Sequence, residues 1–202
     1  MSAAASRPEV PSVPFERPPN PPGTGRLGLS VFLISLAVLF ASSVVGVLVV
    51  RFDSPNWRSE GAPQFPDLAW VSTGVLLLIS VGSHLAYRAV QVDRQLLFRS
   101  LSIFVLSAGI AFLVLQKMVW QILLEGGMSL DSGLYSYSLF MLSALHAVHV
   151  VGGLVMQVLV IVRGLGGRYW SLHCEMVRHA GVYWHFLDGV WVALFLFLLW
   201  LH

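Results

Sequence analysis

Histidines set in long apolar stretches are the residues of this chain best suited to chemistry, and the sequence contains seven of them. If their segments are helices, His84 and His185 both lie roughly 5 Å from the same end. Two histidines on different helices can hold a b-type haem. Tyr87, Trp184 and Phe186, however, crowd positions where a porphyrin needs small neighbours. The alternative is that these imidazoles hydrogen-bond to neighbouring helices or to lipid phosphate.

A second pair, His146 and His149, is spaced to share one helix face, as ligands in a di-metal bundle would be. Such a site also needs carboxylates from facing helices. The one carboxylate inside an apolar segment is Asp188, and it lies nearer to an end of its segment. Asp188 shares a helix face with His185, so we predict a hydrogen-bonded structural pair, with a proton relay as the alternative.

Motifs for catalysis are missing from the sequence. It contains no GxSxG, no HExxH, no phosphate-binding glycine loop and no acid pair. Cys174 is the only cysteine, which excludes an intrachain disulfide and a CxxC redox pair. The residues by themselves therefore predict a membrane subunit without a catalytic centre of its own.

The composition indicates the elements that position these side chains. Of the 202 residues, 56% are hydrophobic and only 11% are charged, against about 25% charged in soluble domains. The net charge of +2 comes from dispersed residues, which argues against nucleic acid as a partner. A small transporter or channel is a further alternative, but we find neither broken helices nor an inverted repeat.

Five apolar segments are long enough to cross roughly 30 Å of hydrocarbon as helices. The predicted fold is an all-α membrane protein, a bundle of five transmembrane helices spanning about 27–50, 68–87, 101–124, 134–162 and 182–201 of a domain 27–202. Residues 1–26 contain seven prolines and are predicted to form an extended or disordered tail. Close contacts between spans are expected at small residues, such as Ser35, Ser42 and Gly46 in the first span and Gly152 and Gly153 in the fourth.

The arginines predict the orientation, because cytoplasmic loops of membrane proteins are enriched in Lys and Arg. With the N-terminus in the cytoplasm, nine arginines lie inside and two, Arg51 and Arg58, lie outside. We therefore predict a cytoplasmic N-terminus and a periplasmic C-terminus. The nine are Arg7, Arg17, Arg26, Arg88, Arg94, Arg99, Arg163, Arg168 and Arg178.

Two spans carry motifs that resemble a known family. Leu145–Gly153 reads LHAVHVVGG, similar to the family segment G-x-H-G-x-H-V-x-x-G, and Tyr183–Trp191 reads YWHFLDGVW, close to Y-W-H-F-x-D-x-V-W. Both belong to subunit III of the haem-copper respiratory oxidases. The third span resembles the family's Q-x-x-E-W less closely, through Gln116 and Trp120. The resemblance covers about residues 20–202 and matches the five-span bacterial form rather than the seven-span mitochondrial type.

The resemblance implies a non-catalytic accessory subunit of a terminal oxidase in aerobic respiration. Such a subunit holds no haem or copper, which belong to partner subunits. It packs against subunit I in a complex that includes subunit II, binds membrane phospholipids, and supports proton uptake and sustained turnover. Cytochrome c or quinol would supply electrons, and related chains accompany nitric oxide reductases. The implied location is the bacterial inner membrane, as a multi-pass protein.

The candidate residues follow from the motifs and from the arginines of the inner surface. No residue is a candidate for catalysis, for cofactor binding or for metal binding. Three family carboxylates are replaced here, by Leu36, Val119 and Arg178, so any role that depends on them does not carry over. The structural or lipid-binding candidates are His146, His149, Arg163, Arg168, Tyr183, Trp184, His185 and Asp188.

Overall fold

The computed structural model of the protein describes residues 24–54, 57, 66–129, 131, 133–166 and 174–201. These residues form five α-helices and no strand, so the predicted fold class is confirmed. All five helices are long and apolar enough to cross a membrane. Most of the N-terminal tail lies outside the described residues. The helices are α1 (Thr24–Asp53), α2 (Leu68–Gln91), α3 (Gln95–Glu125), α4 (Leu134–Leu165) and α5 (Glu175–Leu201).

Tight turns join the central helices. Between α2 and α3 the chain reverses within three residues, with Asp93 at φ +53° and the amide of Arg94 donating to the carbonyl oxygen of Ala89 at 2.9 Å. A left-handed residue at a helix end satisfies carbonyl groups that the helix leaves unpaired. Gly127, at φ +87°, follows α3 in the same way, and the next amide, of Met128, donates to the carbonyl oxygen of Leu123 at 3.0 Å.

Helices α2 to α5 form a four-helix bundle, in which α2 and α4 each pack against both α3 and α5. Helix α1 lies outside this bundle and contacts only α4 and α5 among the helices. The buried interior is rich in aromatic side chains, among them Phe112, Trp184 and Trp191. Among the candidate residues, His149 and Tyr183 therefore face α1, and Trp184 faces the bundle interior.

Large side chains, rather than small ones, make the contact between α1 and the bundle. Leu36, Phe40 and Val47 are buried, whereas Ser35, Ser42 and Gly46 face outward. The predicted small-residue contact of the first span is therefore wrong. Helix α1 covers the groove between α4 and α5, and filling a groove requires large side chains.

One end of the bundle, where α1, α3 and α5 begin and α2 and α4 end, carries six arginines among the described residues. We call it the arginine-rich end. At the opposite end, Arg51 lies over the ring of Trp57 at 5.6 Å from the ring centroid. This asymmetry underlies the predicted orientation, which remains a prediction. The six are Arg26, Arg88, Arg94, Arg99, Arg163 and Arg178.

Candidate functional site

The motif Tyr183–Trp191 of α5 holds three helices together through two buried aromatic residues. The hydroxyl of Tyr183 donates to the backbone carbonyl oxygen of His149 in α4 at 2.8 Å. The indole N–H of Trp184 donates to Oε1 of Gln157 at 3.3 Å, and Nε2 of Gln157 donates to the carbonyl oxygen of Ser102 at 3.1 Å. Because Ser102 lies in α3, this chain of hydrogen bonds runs from α5 through α4 to α3.

Two glycines leave room for the Trp184 ring, which is fully buried. A Cβ atom at Gly153 of α4 would come within 3.1 Å of the rings of both Trp184 and Tyr183, and one at Gly109 of α3 would lie 3.4 Å from Trp184. A methyl group at Gly153 would force rigid aromatic rings to move. The close packing predicted for the small residues of the fourth span is thus found at Gly153.

Trp191, the last residue of the motif, connects α5 to α2. Its indole N–H donates to the hydroxyl of Thr73 at 3.0 Å. Its ring lies against the imidazole of His146, with the two centroids 4.8 Å apart. The Trp191 side chain therefore contacts both α2 and α4, the two helices of the bundle that flank α5.

His146 sits in an aromatic cage and is fully buried. Besides Trp191, Phe112 and Phe40 lie 5.8 Å and 6.3 Å from its ring centroid. Neither of its ring nitrogens has a hydrogen-bond partner among the described residues. The imidazole therefore works as a flat, polarisable packing element between α1, α3, α4 and α5.

His149 does not join its neighbour in a polar site. The Nδ1–H of His149 donates to the carbonyl oxygen of Leu145 in the preceding turn at 2.7 Å, and its ring packs on Phe40 of α1 with centroids 5.2 Å apart. Within the described part of the chain, no group of three His, Cys, Asp or Glu residues is arranged to hold a metal ion. The carboxylates that a di-metal site needs are not brought to this pair.

The structure does bring His84 and His185 together, as their matched depth predicts. Their ring centroids lie 6.1 Å apart with a tilt of 52°, and both side chains are exposed on the face formed by α2 and α5. Nδ1 of His185 is hydrogen-bonded to the hydroxyl of Ser80. The cavity beside them has a volume of about 170 Å³, smaller than the roughly 300 Å³ at which small-molecule pockets begin. This space suits a few water molecules better than a porphyrin.

The predicted hydrogen bond between His185 and Asp188 is not formed, and that prediction is wrong. His185 takes Ser80 of α2 as its partner. Asp188 is buried, with 5% of its surface exposed, and neither carboxylate oxygen has a hydrogen-bond partner among the described residues, although the Ser80 hydroxyl is near enough to interact. Sharing a helix face is therefore not sufficient for a hydrogen bond between the two side chains.

The basic candidates are only partly described. Nη1 of Arg163, an exposed residue near the end of α4, donates to the sulfur of Met176 in α5 at 3.0 Å. Arg168 lies outside the described residues. Arg178, one of the three replacements of carboxylates that the resemblance implies, forms an ion pair with Glu175 at 3.8 Å. The other two replacements, Leu36 and Val119, are both buried in the apolar core.

Sequence reasoning missed Gln157 and Thr73, the two polar partners of the motif tryptophans. Each is a hydrogen-bonding residue inside an apolar helix, which is a signal of a contact between helices. Pairing each with its tryptophan requires the rotation of both helices about their axes. The sequence pattern does not supply that rotation.

Comparison with known proteins gives one consistent family. A family model described as cytochrome c oxidase subunit III matches residues 24–202. The chain is 29% identical to cytochrome c oxidase subunit 3 of Corynebacterium diphtheriae, over 88% of each chain. It is 28% identical to the Synechocystis protein of that name, over 87% of this chain and 75% of the relative. It also matches the heme-copper oxidase subunit I+III of Aeropyrum pernix, at 25% identity over 88% of this chain and 23% of the relative.

Proposed function

We propose, from the premise that this chain belongs to the cytochrome c oxidase subunit III family, that it is a non-catalytic accessory subunit of a terminal haem-copper oxidase. In this role it braces the catalytic subunit in the plasma membrane of a bacterium, with its N-terminus in the cytoplasm. Haem and copper belong to partner subunits. The chain supports proton uptake and sustained turnover through the way it packs, because the family carboxylates at positions 36, 119 and 178 are replaced.

One observation carries the proposal: the signature side chains are used to hold helices together. Tyr183 and Trp184 bind α4, and Trp191 binds α2. All three are buried, so they are not placed around an opening where a substrate could react. An enzyme needs reactive groups within hydrogen-bond reach of its substrate. This arrangement supports a bracing role instead.

Packing against subunit I is supported by the face of α2 and α5 that carries His84 and His185. Ionisable groups inside a membrane are costly when they face lipid, and they usually face protein or water. Beside them, a Cβ atom at Gly189 would meet nothing within 4 Å, so another helix can approach α5 closely here. The name of the Aeropyrum relative also couples subunits I and III. We therefore propose that subunit I covers this face, with subunit II in the same complex.

Lipid is proposed to bind where α1, α4 and α5 meet. Tyr183 stacks on Phe32 of α1 with centroids 6.0 Å apart. Its hydroxyl donates to the backbone of His149 in α4. At the arginine-rich end, Arg163 is exposed and carries a positive charge suited to anionic headgroups, and Arg168 follows it in the sequence. These contacts complete the proposed role: a bundle that holds lipid beside the catalytic subunit.

Co-purification tests the proposal. The tagged chain, extracted in mild detergent, is expected to bring down subunits that contain haem and copper. Gly189→Leu places a side chain in the open space where subunit I is proposed to approach α5, so less of the tagged chain should be recovered with the oxidase. The haem and copper content of the oxidase should not change. Asp53→Leu, an exposed change at the opposite end of the bundle, is the matched control and should leave recovery unchanged.

Two results would contradict the proposal. One is a stoichiometric b-type haem in the purified chain that is lost in His84→Ala, which would make the chain a haem-bearing membrane anchor. The other is full oxidase-independent activity of the chain alone. Partners from a quinol oxidase or a nitric oxide reductase would keep the accessory role and move it to that complex.

A further inference from the structure

A groove between α2 and α3 opens at the arginine-rich end. Its volume is about 490 Å³, within the roughly 300–1,000 Å³ of sites that bind small molecules. Two arginines, Arg88 at the end of α2 and Arg94 at the start of α3, form its rim with Gln91. Both arginines are among the nine on the predicted inner side.

The two rim arginines are chemically available, unlike Arg99, Arg163 and Arg178 at the same end of the bundle. Arg99 donates to the carbonyl oxygen of Gly164 at 3.4 Å, and Arg163 donates to a methionine sulfur. Arg178 is ion-paired with a glutamate. Across the part of the chain that the structure describes, the guanidinium groups of Arg88 and Arg94 form no hydrogen bond and no ion pair.

The wall of the groove below the rim is apolar except for the imidazole of His84, which lies between this groove and the face of α2 and α5. Leu85, Leu97 and Leu101 line the groove, and Leu97 is 44% exposed. The turn at Asp93 fixes the distance between the rim residues, because its backbone is held by the bond from Arg94 to Ala89. Asp93 itself is exposed but does not line the groove. The groove thus presents two cations at the helix ends and hydrocarbon further into the membrane.

From this arrangement we infer that the groove binds an anionic phospholipid. Arg88 and Arg94 hold the phosphate, since guanidinium groups match the oxygens of phosphate in geometry and charge. One acyl chain lies along the leucines, where it replaces lipid of the bulk membrane. This inference goes beyond the proposed function, which assigns lipid to the other side of the bundle, near Arg163 and α1.

The test counts lipid on the purified oxidase complex. After detergent exchange, the complex is titrated with dioleoyl phosphatidylglycerol, and bound molecules are counted by native mass spectrometry. The double variant Arg88→Gln, Arg94→Gln should weaken one binding event by about tenfold or more, which corresponds to about 1.4 kcal/mol. Arg51→Gln, at the opposite end of the bundle, is the matched control and should bind as the unchanged chain does.

Further binding measurements identify the ligand and the site at which it binds. Dioleoyl phosphatidylcholine should bind this site more weakly than dioleoyl phosphatidylglycerol, because the positive charge of its choline is repelled by the two arginines. Competition by millimolar inorganic phosphate alone would point to a free anion and overturn the lipid assignment. Lipid loss in Arg163→Gln with none in the double variant would also overturn this inference, while leaving the proposed function intact.

If the double variant does not assemble, a change in the apolar wall decides. Leu97→Trp fills the groove and keeps both arginines, so it should reduce phosphatidylglycerol binding by a similar factor. Unchanged binding in Leu97→Trp would mean that no acyl chain occupies the groove.

Discussion

At the scale of single residues, Gln157 is the polar centre of the bundle. It accepts from the indole of Trp184 and donates to the backbone of Ser102, so one amide group connects three helices. An amide can do this because its nitrogen donates and its oxygen accepts, and both are bonded to the same carbon. No ionisable group is needed, which suits a site surrounded by lipid.

Replacing Gln157 by Leu should destabilise the chain by about 1–3 kcal/mol, because the buried Trp184 N–H loses its acceptor and no water can replace it. Thermal unfolding of the detergent-solubilised protein, followed by circular dichroism, measures the effect. Ser107→Ala is the matched control. The hydroxyl of Ser107 is exposed and bonds only to its own helix, at 2.9 Å from the carbonyl oxygen of Phe104, so its removal should change the midpoint little. Equal midpoints for the two variants would contradict the central role of Gln157.

At the scale of the helices, α1 depends on a few large contacts. Phe40 is 4% exposed and packs on both histidines of α4, and Phe32 stacks on Tyr183 of α5. Helix α1 makes no contact with α2 or α3. Its attachment to the bundle therefore rests on these aromatic contacts together with the buried Leu36 and Val47.

Phe40→Ala should cost about 1–3 kcal/mol. This is less than the roughly 3–5 kcal/mol typical of water-soluble cores, because lipid is itself apolar and only packing is lost. Phe52→Ala serves as the control, since Phe52 lies on the same helix and is 79% exposed. Protease digestion in detergent should release the α1 region faster in Phe40→Ala than in the control. The same release rate in both variants would show that α1 is held by other contacts.

The helices were predictable from the sequence and their contacts mostly were not. Apolar length is a local property, so five spans could be recognised one at a time. The rotation of each helix depends on all its neighbours. The sequence therefore placed His84 near His185 correctly, by depth, but paired His185 with Asp188 instead of Ser80. For the same reason it chose the wrong face of α1, where Ser42 and Gly46 are exposed.

At the scale of the whole molecule, the arginine-rich end defines a direction across the membrane. Six arginines of the described residues lie there, and Arg51 lies at the other end. The only cysteine of the chain, Cys174, immediately precedes α5 at the arginine-rich end. Labelling of this single thiol can therefore report the orientation of the chain in the membrane.

A membrane-impermeant maleimide added to intact spheroplasts should leave Cys174 unlabelled, because the arginine-rich end faces the cytoplasm in the predicted orientation. Labelling should appear once the membrane is opened. Glu125→Cys in a Cys174→Ser background places the thiol at the opposite, exposed end of α3 and should react in intact spheroplasts. The reverse pattern would invert the proposed orientation.

The isolated position of α1 has a consequence for synthesis. Of the five helices, the ribosome makes α1 before the others, whereas the two helices that α1 contacts, α4 and α5, are the fourth and the fifth. Helices α2 and α3 can pair as soon as both have entered the bilayer, while α1 must wait alone as a solitary span. Translation that stops before α4 therefore leaves α1 with no place to dock, and such a fragment should be a ready target for membrane quality control.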